Sequence, residues 1–289
     1  HENFDEDAGA NTLRSRLTWH SQSDSPFKAL IELDDVRTIG SDKFNSTANS
    51  QSQYPVVADP EGSEVNQASI QYTQGDLKAT VGRQRINLDD QRFVGGVGWR
   101  QNEQTYDGAR FQFQQGALNL DYSYISNVNR IFGPGGSKAN LEGDIHLINS
   151  SLKISDTQNL TGFIYSLDFD ESASYGLSSR TLGFRYTAKL GGIKVLASLA
   201  SQVETGDNPI DYQTHFASLE LSGKFENTMS WSAGYEILGS DNGKKAFNTY
   251  LPDLLLDELL RFIFNECILR SYASANTSPN NRLNVNSLS

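Results

Sequence analysis

The sequence predicts an all-β chain whose antiparallel strands form a transmembrane β-barrel. Apolar and polar residues alternate with period 2 over most of the 289 residues, which is the signature of strands with one apolar face. The alternating segments are long and uniform, mostly eight to eleven residues, and a tilted strand crosses a bilayer in about 9–11 residues. Short and long connections also alternate strictly, as the turns and loops of outer-membrane barrels do.

The clearest strand is Met229–Ile237, whose odd positions carry Met, Trp, Ala, Tyr and Ile while Ser, Gly and Glu fill the even ones. Similar alternation predicts twelve strands, in chain order 12–20, 27–36, 65–74, 77–86, 105–114, 118–124, 145–154, 160–169, 181–190, 193–199, 214–222 and 229–237. Short turns fall at 23–26, 75–76, 115–116, 156–159, 191–192 and 223–228. Long loops are expected over about 37–64, 87–104, 125–144, 170–180 and 205–213.

Two architectures fit such strands: a soluble sandwich or lipocalin, with its apolar faces inside, and a membrane barrel, with its apolar faces toward lipid. The hydrophobic content of 37% is thin for a soluble core of twelve strands. Aromatic residues also fall near the predicted strand ends, where a membrane-interface girdle belongs: Trp19, Tyr72, Phe113, Tyr165, Phe169 and Trp231. These observations favour the barrel.

Composition excludes several other classes of protein. Aromatic residues at 10% are too many for a disordered chain, and charged residues at 20% are too few for a coiled coil. No apolar run is long enough for a transmembrane helix, and the 35 acidic against 24 basic residues argue against binding of nucleic acid. The single cysteine, Cys267, excludes an internal disulfide framework.

Metal binding and catalysis find little support in the sequence. The four histidines, His1, His20, His146 and His215, are scattered without a metal-binding spacing, and His146 and His215 take the lipid-facing phase. The run Asp59–Glu64 is read as an Asp-Pro turn rather than as a calcium loop. No metal, no cofactor and no enzymatic activity are therefore expected.

One segment resembles a known family. Gly82–Phe111, GRQRINLDDQRFVGGVGWRQNEQTYDGARF, is similar to the signature of the alginate-export family of bacterial outer-membrane porins, and Gln53–Tyr72 resembles the stretch before it there. Asn11–Leu17 and Ala29–Val36 resemble that family's early hairpin, so the similarity covers about residues 1–248 and is strongest over 53–111. The resemblance implies a monomeric barrel in the outer membrane, with lipids as partners.

The resemblance also implies that the barrel is incomplete. Family members carry a signal peptide and an earlier strand, and their pattern continues where this chain departs from it near Thr249. We therefore predict a barrel fragment over 1–249 and a non-family tail over 250–289, either helical or disordered. Helical spacing is carried by Leu254, Leu255, Glu258, Leu259, Phe262 and Ile263. The tail is interpreted as a frameshifted gene end; a plug or partner helix and a divergent terminus are the alternatives. If the frameshift is real, the encoding DNA beyond Thr249, translated in another frame, should give alternating strands that end in an aromatic residue.

The phase of each strand predicts which charges face the lumen. Burying a lone Arg or Lys at mid-bilayer on the lipid face costs about 2–4 kcal/mol, so inward charges are expected in any barrel. The predicted inward acids are Glu32, Asp121, Asp168, Glu220 and Glu236, and the predicted inward bases are Arg14, Arg16, Lys28, Lys78, Arg110, Lys153, Arg185, Lys189 and Lys194. This excess of bases favours anionic solutes over a path for neutral solutes.

Four further arginines are left with two interpretations each. Strand phase sends Arg83 and Arg85 toward lipid, whereas a bulge at Gly82 would turn both inward. By resemblance to the family, such arginines line the polyuronate path. Arg92 and Arg100 lie in the Gly-rich segment 89–103, which is either a constriction loop folded into the lumen or a tight surface loop.

The sequence thus predicts a passive outer-membrane channel for anionic solutes, such as uronate oligo- or polysaccharides or small acids. Its predicted lumen-binding residues are Arg14, Arg16, Lys28, Arg83, Arg85, Arg110, Lys153, Arg185 and Lys194. A general porin and a barrel that interacts through its surface loops remain alternatives.

Overall fold

A computed structural model describes residues 7–22, 24–136, 138–225, 229–249, 251 and 268–274. Thirteen strands form one antiparallel sheet among these residues, each paired with its neighbours in chain order. They are β1 (Gly9–His20), β2 (Phe27–Lys43), β3 (Gly62–Gln74), β4 (Leu77–Gln84), β5 (Thr105–Gln115), β6 (Leu118–Asn129), β7 (Asn140–Ser155), β8 (Gln158–Phe169), β9 (Ser179–Leu190), β10 (Ile193–Glu204), β11 (Gln213–Phe225), β12 (Met229–Leu238) and β13 (Ile268–Ser274).

The twelve predicted strands are all present, and the all-β fold class is confirmed. Several strands extend further than predicted toward the long loops, most of all β2, and then β6, β7 and β10. Among the described residues no pairing joins β1 to β13. The described segments contain one short 3₁₀ turn, Tyr175–Leu177, and no helix in them is long and apolar enough to cross a bilayer.

The strands expose their apolar side chains on the outer face of the sheet. On β1 and β2 the outward Leu17 and Leu33 lie directly opposite each other, and both are exposed. The inward Glu32 and Asp34, at alternate positions of β2, are buried. A soluble protein reverses this arrangement, so the inverted alternation identifies a barrel surrounded by lipid.

Aromatic side chains mark the outer face near the short turns. Phe27 and Tyr72 lie with their ring centroids 4.8 Å apart, and Phe225 and Trp231 lie 6.1 Å apart. Trp19 is also exposed there. Amphipathic rings at this level suit the boundary between hydrocarbon and headgroups.

Two aromatic residues predicted for the girdle lie on the other face. Tyr165 and Phe169 of β8 are buried and share the inward phase of Phe163, whose ring stacks on that of Tyr165 at 4.8 Å. The girdle interpretation of these two residues was wrong, because proximity to a strand end does not specify the face on which a side chain stands.

The predicted tail is described only in part. Ile268–Ser274 forms β13 and pairs with Ser230–Glu236 of β12, which differs from the helical or disordered expectation for those seven residues. An edge strand offers unpaired backbone groups, and a short β-prone segment can satisfy them. The positions with helical spacing, from Leu254 to Ile263, lie outside the described residues.

Candidate functional site

The segment after β4, residues 85–104 and here called the inward loop, crosses the interior of the barrel. Asn149 of β7 donates a hydrogen bond to Asp89 at 2.8 Å, Arg185 of β9 lies 2.5 Å from Asp90, and Arg92 reaches Glu236 of β12 at 2.6 Å. On the other side, Arg14 of β1 donates to the backbone oxygens of Arg100 and Gln101 at 2.9 and 3.1 Å. Contacts with both early and late strands require the sheet to curve around the loop.

An aromatic cluster anchors the middle of the inward loop. The ring of Phe93 lies 4.9 Å from Phe163, 5.5 Å from Phe216 and 6.1 Å from Phe247, centroid to centroid. Phe163 and Phe216 point inward from β8 and β11, while Phe247 comes from the segment after β12. Aromatic pairs at such distances contribute about 0.5–1.5 kcal/mol each beyond their burial, so the loop is held against this part of the wall.

Backbone contacts close the base of the inward loop. The Tyr106 hydroxyl donates to the backbone oxygen of Gly95 at 2.7 Å, and the Gln104 side-chain amide donates to the same oxygen at 3.0 Å. Val94 also forms an isolated bridge with Leu251. Of the two interpretations of segment 89–103, the structure has the one in which it folds inward, with Arg92 and Arg100 inside.

Three arginines converge on Glu103 at the end of the inward loop. Arg14 and Arg16 approach its carboxylate at 3.5 and 2.9 Å, and Arg85 makes a shorter contact. Arg85 also pairs with Glu32 of β2, and Asn66 donates to both carboxylates, at 2.8 Å to Glu32 and 3.1 Å to Glu103. This group, Arg14, Arg16, Arg85, Glu32 and Glu103, is called the arginine cluster below.

The electrostatic balance of the cluster keeps its carboxylates charged. Burial raises the pKa of the Glu103 carboxyl, but hydrogen bonds from Arg85, Asn66 and Arg16 lower it by more, so it lies below its ordinary value. The arginine side chains keep 24–29% of their surface exposed. Charge-assisted contacts made by arginine side chains that stay partly exposed are suited to exchanging one carboxylate for another.

The opposite behaviour occurs at Asp89, on the other side of the inward loop. Burial raises the pKa of its carboxyl above the ordinary value, against the lowering effects of Arg185 and of the hydrogen bond from Asn149. Arg185 itself is 3% exposed and pairs with the neighbouring Asp90. This side of the lumen is packed, whereas the arginine cluster is partly open.

The remaining inward bases differ in their pairing. Arg110 binds Asp121 through two guanidinium nitrogens, the shorter contact being 2.5 Å, and Lys153 pairs with the exposed Asp156 of the adjacent turn at 2.7 Å. No ion pair within the described segments involves the inward lysines Lys28, Lys78, Lys189 and Lys194. The unpaired cations therefore lie close to the short turns, and the paired arginines lie deeper.

Arg83 does not belong to the lumen. The register on both sides of β4 continues without a shift through Gly82, so no bulge forms there although Gly82 has a φ of +116°. Arg83 keeps the outward phase of Val81 and binds Asp107 at 2.7 and 2.8 Å. The lumen prediction was wrong for Arg83. Arg85, beyond the end of β4, does turn inward, although not through the bulge at Gly82 that the alternative required.

The predicted excess of inward bases is largely offset by acids that the sequence-based assignment left out. Asp168 was wrongly predicted to face the lumen: it stands opposite the exposed, outward Asp144. Sequence reasoning missed the inward acids Asp34, Glu64, Asp89, Asp90 and Glu103. For Asp34 the available signal was strand phase, because it shares the inward positions of Lys28 and Glu32; in the structure it stands opposite Glu64 across β2 and β3. The three loop acids carry no strand phase.

A matched pair of variants tests this assignment of faces. Arg85→Gln removes a cation from the cluster and leaves Glu32 and Glu103 less compensated, so we expect the anion-over-cation permeability ratio of the full-length protein to fall about twofold. Arg83→Gln removes the same charge from the outer face and should leave that ratio unchanged. Reversal potentials in a planar bilayer under a salt gradient measure both; equal shifts would contradict the assignment.

Among the described residues, neither His20, His146 and His215 nor the Asp59–Glu64 run belongs to a group of metal-ligating side chains. His146 and His215 are exposed on the outer face, as predicted. Asp59 accepts a hydrogen bond from the Gln101 backbone at 3.2 Å and lies 3.7 Å from Arg100, so it helps hold the inward loop. Within the described parts of the chain, no three His, Cys, Asp or Glu side chains are grouped to hold a metal ion.

Comparison with known proteins agrees with this geometry. Residues 2–128 match the family model described as alginate export, which confirms the resemblance over that part, whereas no curated protein sequence matches. Similar solved structures include Acinetobacter baumannii OccAB4, with a TM-score of 0.60, 16% identity and coverage of 88% of this chain and 68% of that one. Pseudomonas aeruginosa OpdK, crystallised with vanillate, has a TM-score of 0.58 and 10% identity, with coverage of 78% of this chain and 60% of that one.

A third structure, Pseudomonas aeruginosa OccD3 (OpdP), has a TM-score of 0.57 and 13% identity, with coverage of 85% of this chain and 61% of that one. The chain thus spans 60–68% of the length of these three proteins. The resemblance to the alginate-export family and the likeness in fold to these porins lead to one conclusion: the sheet is a β-barrel of the outer-membrane porin type, located in the bacterial outer membrane.

Proposed function

We propose that the protein is a passive channel for anionic solutes, such as uronate oligo- or polysaccharides, and performs no catalysis. The observation that carries the proposal is the arginine cluster, which lies where the inward loop narrows the lumen. A carboxylate passing this point meets guanidinium groups that are already bound to Glu32 and Glu103. Exchange between fixed and mobile carboxylates keeps binding modest, which transport requires because a solute that is held tightly cannot leave.

A general porin without solute preference is the second candidate, and the pairing of Arg110 and Arg185 with acids favours it. A barrel that acts through its surface loops would have a packed lumen, and the cluster around Phe93 provides such packing on one side only. The anion channel is preferred because the arginine side chains of the cluster stay partly exposed on the other side, and because Lys189 and Lys194 at the short-turn end form no ion pair among the described residues.

Reversal potentials of the full-length protein in a planar bilayer test the proposal. We expect anion preference, and a loss of about half of it when Arg110 and Arg185 are both replaced by Gln, because fixed cations in a low-dielectric wall attract carboxylates strongly. Arg180→Gln is the matched control, since Arg180 is exposed on the outer face of β9. Cation preference, or no change in the double variant, would leave a general porin.

A further inference from the structure

Lysine side chains gather around one cavity at the short-turn end of the lumen. The cavity has a volume of about 560 Å³ and is bounded by strands β6 to β11. That volume lies within the range of about 300–1,000 Å³ typical of small-ligand sites. Its charged residues are Lys153, Lys189, Lys194, Asp156 and Glu220.

Two of these lysines face each other, and no carboxylate of the described residues pairs with either. Lys189 and Lys194 are directly opposite in the β9–β10 pair, on either side of the turn Gly191-Gly192. Residues opposite each other in an antiparallel pair have their Cβ atoms about 4.5–5.5 Å apart, and like charges there are destabilising. Neither lysine forms an ion pair among the described residues, so an anion placed between the two ammonium groups would remove their repulsion.

The neighbouring polar groups specify the kind of anion. Asn159 and Thr187 are paired across β8 and β9, and Ser222 lies opposite Lys194 on β11; all three line the cavity. Amide and hydroxyl groups next to an ammonium pair match the hydroxyls next to the carboxylate of a sugar acid. Hydrogen bonds to those hydroxyls would distinguish such a group from a bare inorganic anion.

The acids of the cavity limit how tightly such a ligand is held. Asp156 is satisfied by the exposed Lys153, a solvated pair that contributes little. Glu220 stands opposite Leu196, two positions deeper than Lys194, and repels a carboxylate that moves inward from the lysine pair. Weak binding at the mouth with release nearby is the behaviour expected of a channel entrance.

We propose that Lys189 and Lys194, with Asn159, Thr187 and Ser222, form a binding site for the carboxylate of a hydroxylated sugar acid at the short-turn mouth of the channel. Short turns of outer-membrane barrels face the periplasm, so the site would capture the ligand on that side. The inference deepens the proposed function, on which it rests for the presence of anionic saccharides in the lumen.

The test uses block of the single-channel current of the full-length protein by trigalacturonate. We expect Lys189→Gln/Lys194→Gln to raise the half-blocking concentration about tenfold. Lys78→Gln/Lys224→Gln removes the same charge from the short-turn ends of β4 and β11, at positions that do not line the cavity, and should raise that concentration less than twofold. Heat-modifiable mobility in SDS gels verifies that each variant folds.

The outcomes separate this site from the proposed function. Equal shifts in the two double variants would overturn the site, because diffuse charge rather than a located pair would then be responsible. Equal block by neutral maltotriose, or by inorganic phosphate at the same concentration, would also overturn it. Failure of the proposed function appears separately, as cation preference of the unmodified channel in the reversal-potential measurement.

Discussion

Glu103→Gln is expected to destabilise the protein by about 3 kcal/mol, because breaking a buried ion pair leaves its partner uncompensated. Glu103 is only 5% exposed and is shared by Arg14, Arg16 and Arg85, so its loss affects three guanidinium groups at once. The same change removes a fixed acid from the narrow part of the lumen, and anion preference should rise. Chemical unfolding in detergent, followed by tryptophan fluorescence, measures the stability.

The difference in stability between the wild type and Glu103→Gln should depend on pH, and the direction of the Glu103 pKa shift sets how. The folded-state pKa of Glu103 is depressed, so the carboxylate contributes stability above the ordinary glutamate value of about 4.3, and the contribution is lost as pH falls through the folded value. The difference between wild type and Glu103→Gln should be constant near neutral pH and should shrink below about pH 4. A constant difference down to pH 2 would contradict the assignment.

Glu142→Gln is the matched control. Glu142 is exposed on the outer face of β7, opposite Asn127, and its replacement should change neither stability nor selectivity. A loss in the control similar to that in Glu103→Gln would mean that the effect arises from general charge change rather than from the arginine cluster.

Phe93→Ala is expected to enlarge the channel. Truncating a buried phenylalanine costs about 3–5 kcal/mol, and the Phe93 ring contacts β8, β11 and the segment after β12. Without the ring, the middle of the loop loses its aromatic contacts and is held only by polar and backbone contacts such as those of Gly95 with Gln104 and Tyr106. Single-channel conductance should rise about twofold, with larger current noise from loop motion.

The control for this variant is Phe184→Ala. Phe184 is 54% exposed on the outer face of β9, so its truncation removes the same atoms from a position facing lipid. Its conductance should equal that of the wild type. If Phe93→Ala also left the conductance and its noise unchanged, the inward loop would not be the element that narrows the channel.

The sequence was sufficient for the strands because the bilayer enforces their pattern. Within the hydrocarbon layer a polar side chain on the outer face costs several kcal/mol, which keeps alternation regular from β1 to β12. Beyond that layer the constraint relaxes. The extra residues of β2 up to Lys43 carry no clear alternation, and those of β7 from Asn140 alternate with Leu141 and Ile145 buried inside and Glu142 and Asp144 exposed outside. A pattern of outward apolar residues therefore did not predict these extensions.

The candidate site was only partly predictable. Arg14, Arg16 and Arg110 stand where strand phase placed them, because phase is a local property. Glu103 and Asp90 face the lumen because they pair with arginines on distant strands, and nothing in their neighbouring residues specifies those contacts. Arg83 was ambiguous because Gly82 allows a bulge as well as a regular strand, and the choice depends on the pairing of β4 with both neighbours.

The distant contacts of the inward loop have a consequence for the order of assembly. The Gln104 side-chain amide donates to the backbone oxygen of Leu251, 147 residues away, and Arg92 pairs with Glu236 of β12. Contacts at such separations form late, because the intervening chain must first be ordered. We therefore expect the contacts of the loop with β12 and Leu251 to form after most of the wall is in place. The lumen should be wider before those last contacts form than in the finished barrel.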